Sequence, residues 1–117
     1  MNLIVRTGRL FHTHSNLYND WVIGSFVKDP DFNSNDFEFK FQKGEKGLVL
    51  PLKDDSVPQV KTFPILMYGA VKVSFNNGCR HVFLRNEGDY VLFEPNEAHE
   101  LEFLEDSLIV TLRWKYE

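Results

Sequence analysis

Apolar and polar positions alternate with a period of two along most of this chain, the repeat of a pleated strand with one face towards a core. Phe37, Phe39 and Phe41 share one face of a predicted strand, and Glu38, Lys40 and Gln42 share the other. Ile65, Met67, Gly69, Val71, Val73 and Phe75 alternate with Leu66, Tyr68, Ala70, Lys72 and Ser74, which predicts a strand over 65–75. Near the end, Leu108, Val110, Leu112 and Trp114 oppose Ile109, Thr111, Arg113 and Lys115. No segment of helical length carries an apolar stripe at i, i+3, i+4, i+7. The chain reads as all-β.

Turn signals fall between these runs. Asn76-Asn77-Gly78-Cys79 is the strongest, because Asn-Gly accepts the positive φ angles of a tight hairpin turn. It is expected to join the strand 65–75 to a strand 80–85. Asn86-Glu87-Gly88-Asp89 and Glu105-Asp106-Ser107 mark two further reversals, and 29–36 and 54–61 read as polar loops. Roughly seven to ten short strands at such spacing predict a sandwich or barrel. Closure of the sheet would remove exposed edges.

Composition narrows the class. The chain has 117 residues, 11 of them Phe against two Met, which suits one all-β domain over 1–117. A net charge of −4 argues against a nucleic-acid surface, and no apolar run approaches the ~18 residues of a membrane span. The N-terminus does not read as a secretory leader, so a cytoplasmic location is expected. The lone cysteine, Cys79, excludes an intrachain disulfide and a Cys-rich zinc site. Only Arg80 stands near to activate it, and no His/Asp arrangement makes it a nucleophile.

One segment carries more than composition. Gly88-Asp89-Tyr90-Val91-Leu92-Phe93-Glu94-Pro95-Asn96-Glu97-Ala98-His99 resembles the second motif of the cupin superfamily, G-x5-P-x-G-x2-H-x3-N. The separation of Gly88 and His99 matches. Pro95 is displaced by one, Asn96 stands for the second Gly, and Phe103 replaces the terminal Asn. Asn is a mild replacement, since it tolerates the left-handed backbone. The first motif, G-x5-H-x-H-x3,4-E-x6-G, can be laid on in two pieces. Counted from Gly44, Leu50 and Leu52 take the two His positions; counted back from Gly69, Thr62 takes the Glu position. The resemblance covers about 36–116 and implies a single cupin-type double-stranded β-helix, a jelly-roll barrel of the sugar-epimerase-like branch with degenerate motifs. In metal-bearing cupins two His, one Glu and the second-motif His hold a transition metal. Here His99 alone remains of that set, so neither metal nor cofactor is expected.

His99 is therefore the leading candidate, as an acid/base or hydrogen-bonding group inside the barrel, or as a former ligand that now packs beside Leu101 and Phe103. Tyr68, Tyr90, Glu97 and Arg113 join it as candidate ligand-binding residues. Glu97 lies in the turn leading to His99. Tyr68 and Tyr90, like Trp21 and Trp114, suit sugar stacking or plain core filling. Arg113 would bind a carboxylate or phosphate, or serve as an outer solubilising charge. His12 and His14 form a His-x-His pair outside the motif, and with His99 they define a possible non-standard three-nitrogen site. His81 reads as a wall or surface residue. Glu87, Asp89, Glu94, Glu100, Glu102, Glu105 and Asp106 read as a solvated face opposite His99, Leu101 and Phe103 rather than as a paired-carboxylate site.

The leading expectation is metal-free binding of a small carbohydrate-like or organic-acid ligand in the barrel. The resemblance also implies an alternative, a metal-independent nucleotide-sugar isomerase or epimerase with His99 as base and Tyr68 or Tyr90 as partner. A metal-dependent cupin oxygenase and a structural dimerisation module complete the set. A homodimer is expected, with the segment around Leu3-Ile4-Val5 as the pairing edge.

Overall fold

The computed structural model describes residues 5–10, 20–51, 60–75, 78–94 and 99–116. No α-helix occurs among them, and no helix is long and apolar enough to cross a membrane. Eight strands form in order: β1 (Trp21–Ile23), β2 (Phe37–Gly44), β3 (Val49–Pro51), β4 (Val60–Tyr68), β5 (Val71–Phe75), β6 (Arg80–Leu84), β7 (His99–Phe103) and β8 (Ser107–Lys115). They build two antiparallel sheets, β1-β2-β8-β4 and β3-β7-β5-β6. The segment 88–93 runs along the free edge of β4. There Thr62 N–H donates to Phe93 O at 2.9 Å, Phe93 N–H to Thr62 O at 3.0 Å, and Leu66 N–H to Asp89 O at 2.8 Å.

The strand expected over 65–75 is two strands in different sheets. The chain turns at Gly69, whose φ is +97°. A Cβ there would lie 2.1 Å from Ser107 Oγ, and Ser107 uses that hydroxyl to accept from Ala70 N–H at 2.9 Å. Alternation alone misses this break because Gly69 keeps the period of two intact while its backbone leaves the β region. The expected hairpin does join β5 to β6, with Phe75 opposite Arg80 and Gly78 at φ +90°. Asn76 and Asn77 lie outside the described residues.

The core occupies one end of the barrel. Leu66 and Ile109 of the first sheet meet Val71, Val73, Phe75, Leu84, Leu101 and Phe103 of the second, all buried. Between the sheets, the Phe103 ring lies against the backbone of Gly44; a Cβ on Gly44 would come within 2.5 Å of it. This contact decides which way β2 faces. Gly44 points inward, so Gln42, Lys40 and Glu38, two residues apart along the strand, point inward as well. Their register partners Ile109, Thr111 and Arg113 share that side. Phe37, Phe39 and Phe41 face outward with Trp114, Leu112 and Val110.

β2 and the Thr111–Arg113 part of β8 are thus inverted, with charged and polar groups inside and aromatic and aliphatic groups outside, while β4 keeps Val60, Pro64 and Leu66 inside. The second sheet has the ordinary sense. Its outer face carries the Lys72–Glu102 ion pair (3.3 Å) and the Ser74–His81 hydrogen bond (2.9 Å).

Gly44→Ala is expected to destabilise the fold by about 1–3 kcal/mol, the usual cost of overpacking. Phe103→Leu in the same chain should recover part of the loss; a chemical denaturation series on the three variants reads both effects.

Candidate functional site

His99 opens β7, whose alternation puts it on the inner side with Leu101 and Phe103. It is part-buried, and its ring centroid lies 4.4 Å from that of Phe93 and 6.0 Å from that of Phe75. Phe75 is its register partner on β5, while Phe93 is carried to it by the segment paired with β4. Phe75 and Phe93, themselves edge to face at 5.3 Å, form walls of a cavity of about 450 Å3. Val82 and Val91 continue the apolar lining, and Lys61, Arg80 and Glu94 supply the polar groups.

A second set of groups faces the same half of the barrel from the first sheet. Thr62 pairs with Phe93 on one side and Arg113 on the other, so it links His99's aromatic neighbours to the charged wall. Arg113 donates from Nε to Glu38 Oε1 at 2.7 Å, and its Nη2 lies 2.6 Å from the same oxygen. Its guanidinium carbon stands 4.7 Å from the Trp21 ring centre, and Lys40 Nζ stands 5.4 Å from that same ring. Burial pushes the Lys40 ammonium below its ordinary 10.5; Asp20 pulls it back up and Arg113 pushes it further down. Asp20 is buried and adopts φ +72°, an uncommon conformation for a non-glycine residue. Glu38 and Arg113 also line a smaller cavity of about 230 Å3 with Ser25, Ser34 and Val60.

The sequence candidates divide by face. His99 and Arg113 both look into the barrel. Tyr90 sits opposite Ile65 on the outer side, 60% exposed, with its ring 5.1 Å from that of Phe63. Tyr68 is 47% exposed beside Leu108 at the opposite end of β4 from Thr62. Neither tyrosine shares a wall with His99, so the isomerase pairing of His99 with either one is not assembled. His81 is on the outer face of β6, bonded to Ser74, and Cys79 is exposed. Glu97, His12, His14 and Leu52 lie outside the described residues. Sequence reasoning named Trp21 for stacking or core filling but passed over Glu38, Lys40, Arg80 and Lys61 as site residues. The signal for Lys40 and Glu38 was present in their two-residue spacing with Gly44.

No protein-family model matches the chain, and no curated protein matches it in sequence. Solved structures do match its shape. A cupin superfamily protein from Desulfitobacterium hafniense superposes with a TM-score of 0.61 at 11% identity, over 71% of each chain. An RmlC-like cupin from Desulfovibrio desulfuricans gives 0.61 at 11% identity, over 69% of this chain and 74% of that one. KdgF from Halomonas sp. gives 0.58 at 21% identity, over 72% and 74%.

The chain has the cupin fold. In this cupin barrel the positions that the motif resemblance assigns to metal ligands hold Leu50, which packs on the core opposite Leu101, and the buried Thr62, besides His99. Among the described residues no group of three or more His, Cys, Asp or Glu side chains could hold a metal ion. An aliphatic side chain donates no electron pair, and Phe93 packs its ring directly on His99, so these residues do not fit a transition metal. The chemistry available to this cupin site is that of its imidazole, its cations and its aromatic walls.

The folded pKa of Lys40 lies below the unfolded value, so the unfolded chain binds the extra proton between the two. Stability is therefore expected to rise with pH as it approaches 10.5. Lys40→Met should flatten that rise in urea melts across the alkaline range, and NMR titration of the Lys40 side chain should place its midpoint below that of exposed lysines.

Proposed function

We propose that this protein binds a small organic acid, carbohydrate-like or a simple hydroxy acid, in the open half of its barrel without a metal ion. The observation that carries this reading is the 450 Å3 cavity walled by Phe75 and Phe93. Its size falls within the range of small-ligand sites, about 300–1,000 Å3. Its lining has the usual division of labour: Phe75, Phe93, Val82 and Val91 offer apolar surface to C–H groups, and a few polar groups fix orientation. Two of those three polar groups, Arg80 and Lys61, are cations, which favours a ligand carrying negative charge. Arg80 supplies the planar, bidentate geometry suited to a carboxylate.

His99 stands behind the two aromatic walls, where its ring packs on Phe93 and Phe75 and holds them in place. Arg113 serves indirectly: held by Glu38 and stacked near Trp21, it stiffens the opposite wall. An acid bound by Arg80 leaves Tyr68 and Tyr90 uninvolved.

A thermal-shift screen tests the reading. Uronic acids or hydroxy acids should raise the melting temperature, by an amount equivalent to about 2.7 kcal/mol at a hundred times Kd. Neutral sugars should give little. Arg80→Ala should abolish the shift, His99→Ala should weaken it, and Tyr90→Ala should leave it intact. Equal stabilisation by neutral and acidic ligands, or none by either class, would count against it.

A further inference from the structure

The charged edge of the 450 Å3 cavity is braced by a residue that does not line it. Lys61 stands near the start of β4, and Glu94 follows Phe93, which pairs with Thr62 on the free side of that strand. On the other side of β4 runs the end of β8, with Trp114 opposite Lys61 and Lys115 opposite Val60. The chain then continues to the half-buried Tyr116. Alternation puts Tyr116 on the outer side with Trp114, and Lys61 on that same side with Phe63. The Lys61 Nζ lies 5.0 Å from the centre of the Tyr116 ring. The Tyr116 hydroxyl donates to the Glu94 carboxylate. One side chain therefore crosses the start of β4 and engages both rim charges. The two inter-strand steps, at ~4.8 Å each, are within the joint reach of a tyrosine and a glutamate.

We propose that Tyr116 is a positioning residue that makes this cavity selective for a dianion, such as a sugar diacid, by keeping Glu94 off Lys61. The inference rests on the acid-binding reading above and names the class of acid. Arg80 and Lys61 are two cations on the cavity, and Glu94 is an anion beside one of them. A carboxylate so close to an ammonium draws it into a pair, which would leave the ligand to Arg80.

Tyr116 offers each charge a different partner. Its O–H gives Glu94 a charge-assisted hydrogen bond. Its ring attracts the Lys61 ammonium without supplying a hydrogen-bond acceptor, so the N–H donors of Lys61 turn to a ligand oxygen. Burial raises the Tyr116 phenol above its ordinary 10.0, and the charge and hydrogen bond of Glu94 raise it further. The donor thus keeps its proton throughout the neutral range. Arg80 then takes one carboxylate through its planar fork, and Lys61 takes the second as a compact point charge.

Calorimetric titration with gluconate and glucarate tests this, because the two hydroxy acids have equal chain length and differ in the second carboxylate. The wild type should bind glucarate the more tightly, by roughly two- to fivefold, the range of an exposed ion pair. Tyr116→Phe keeps the ring but frees Glu94, and should bring the glucarate affinity down to that of gluconate while leaving gluconate unchanged. Tyr116→Phe combined with Glu94→Gln should regain the preference, since no anion is left to capture Lys61. A merely structural role for Tyr116 would lower both affinities together and would not be rescued by Glu94→Gln. Equal affinities in the wild type, a preference that survives Tyr116→Phe, or a double variant that does not regain it would each overturn the assignment and leave the acid-binding reading standing. Binding of neither acid by the wild type would overturn that reading, and this inference with it.

Discussion

The contact between the Phe103 ring and the backbone of Gly44 governs this molecule. Here one sheet's ring lies on the other sheet's backbone, and the contact admits no side chain at this position of β2. Because strand side chains alternate strictly, fixing one inward position fixes every other one. Gly44 inside means Gln42, Lys40 and Glu38 inside, and it sends the three phenylalanines of the same strand outward. A shift of one residue would exchange the faces, but it would put Lys43 where Gly44 now meets the Phe103 ring. Burying an unpaired ammonium in that apolar cluster is far less favourable than leaving phenylalanines on the outside.

Inversion of β2 and part of β8 divides the barrel lengthwise. At the Gly44 end, aliphatic and aromatic groups from both sheets close into a dry core. Towards Arg113 and His99 the interior holds paired charges, one tryptophan and two phenylalanine rings. A half-buried ion pair of this kind contributes little to stability beyond what well-packed apolar groups would give. Its presence on the inner wall therefore weighs towards a site, as does the cavity next to it.

Much of the fold was legible from alternation and turns, since each strand reports which residues share a face and the Asn-Gly signal marks the β5–β6 hairpin. The break at Gly69 was hidden because a glycine in the left-handed region does not disturb a period of two. Alternation also cannot say which face is inside. In β2 the more apolar face is the outer one, and only the packing of Phe103 on Gly44 reveals it. For the same reason Lys40 and Glu38 passed as surface charges. Tyr68 and Tyr90 looked like ligand-stacking residues, while the structure sets them on the outer side. The spacing Gly88 to His99 singled out His99, and alternation with Trp114 singled out Arg113; the structure sets both on the inner side.

Which face of β2 meets the second sheet can be measured without a ligand or a partner. Nuclear Overhauser contacts on selectively labelled protein should connect the Gly44 α-protons to the Phe103 ring and the Lys40 methylenes to the Trp21 indole. Contacts from Phe39 and Phe41 to Phe103 or Leu101 instead would put the aromatic side inside and contradict the account from its first step.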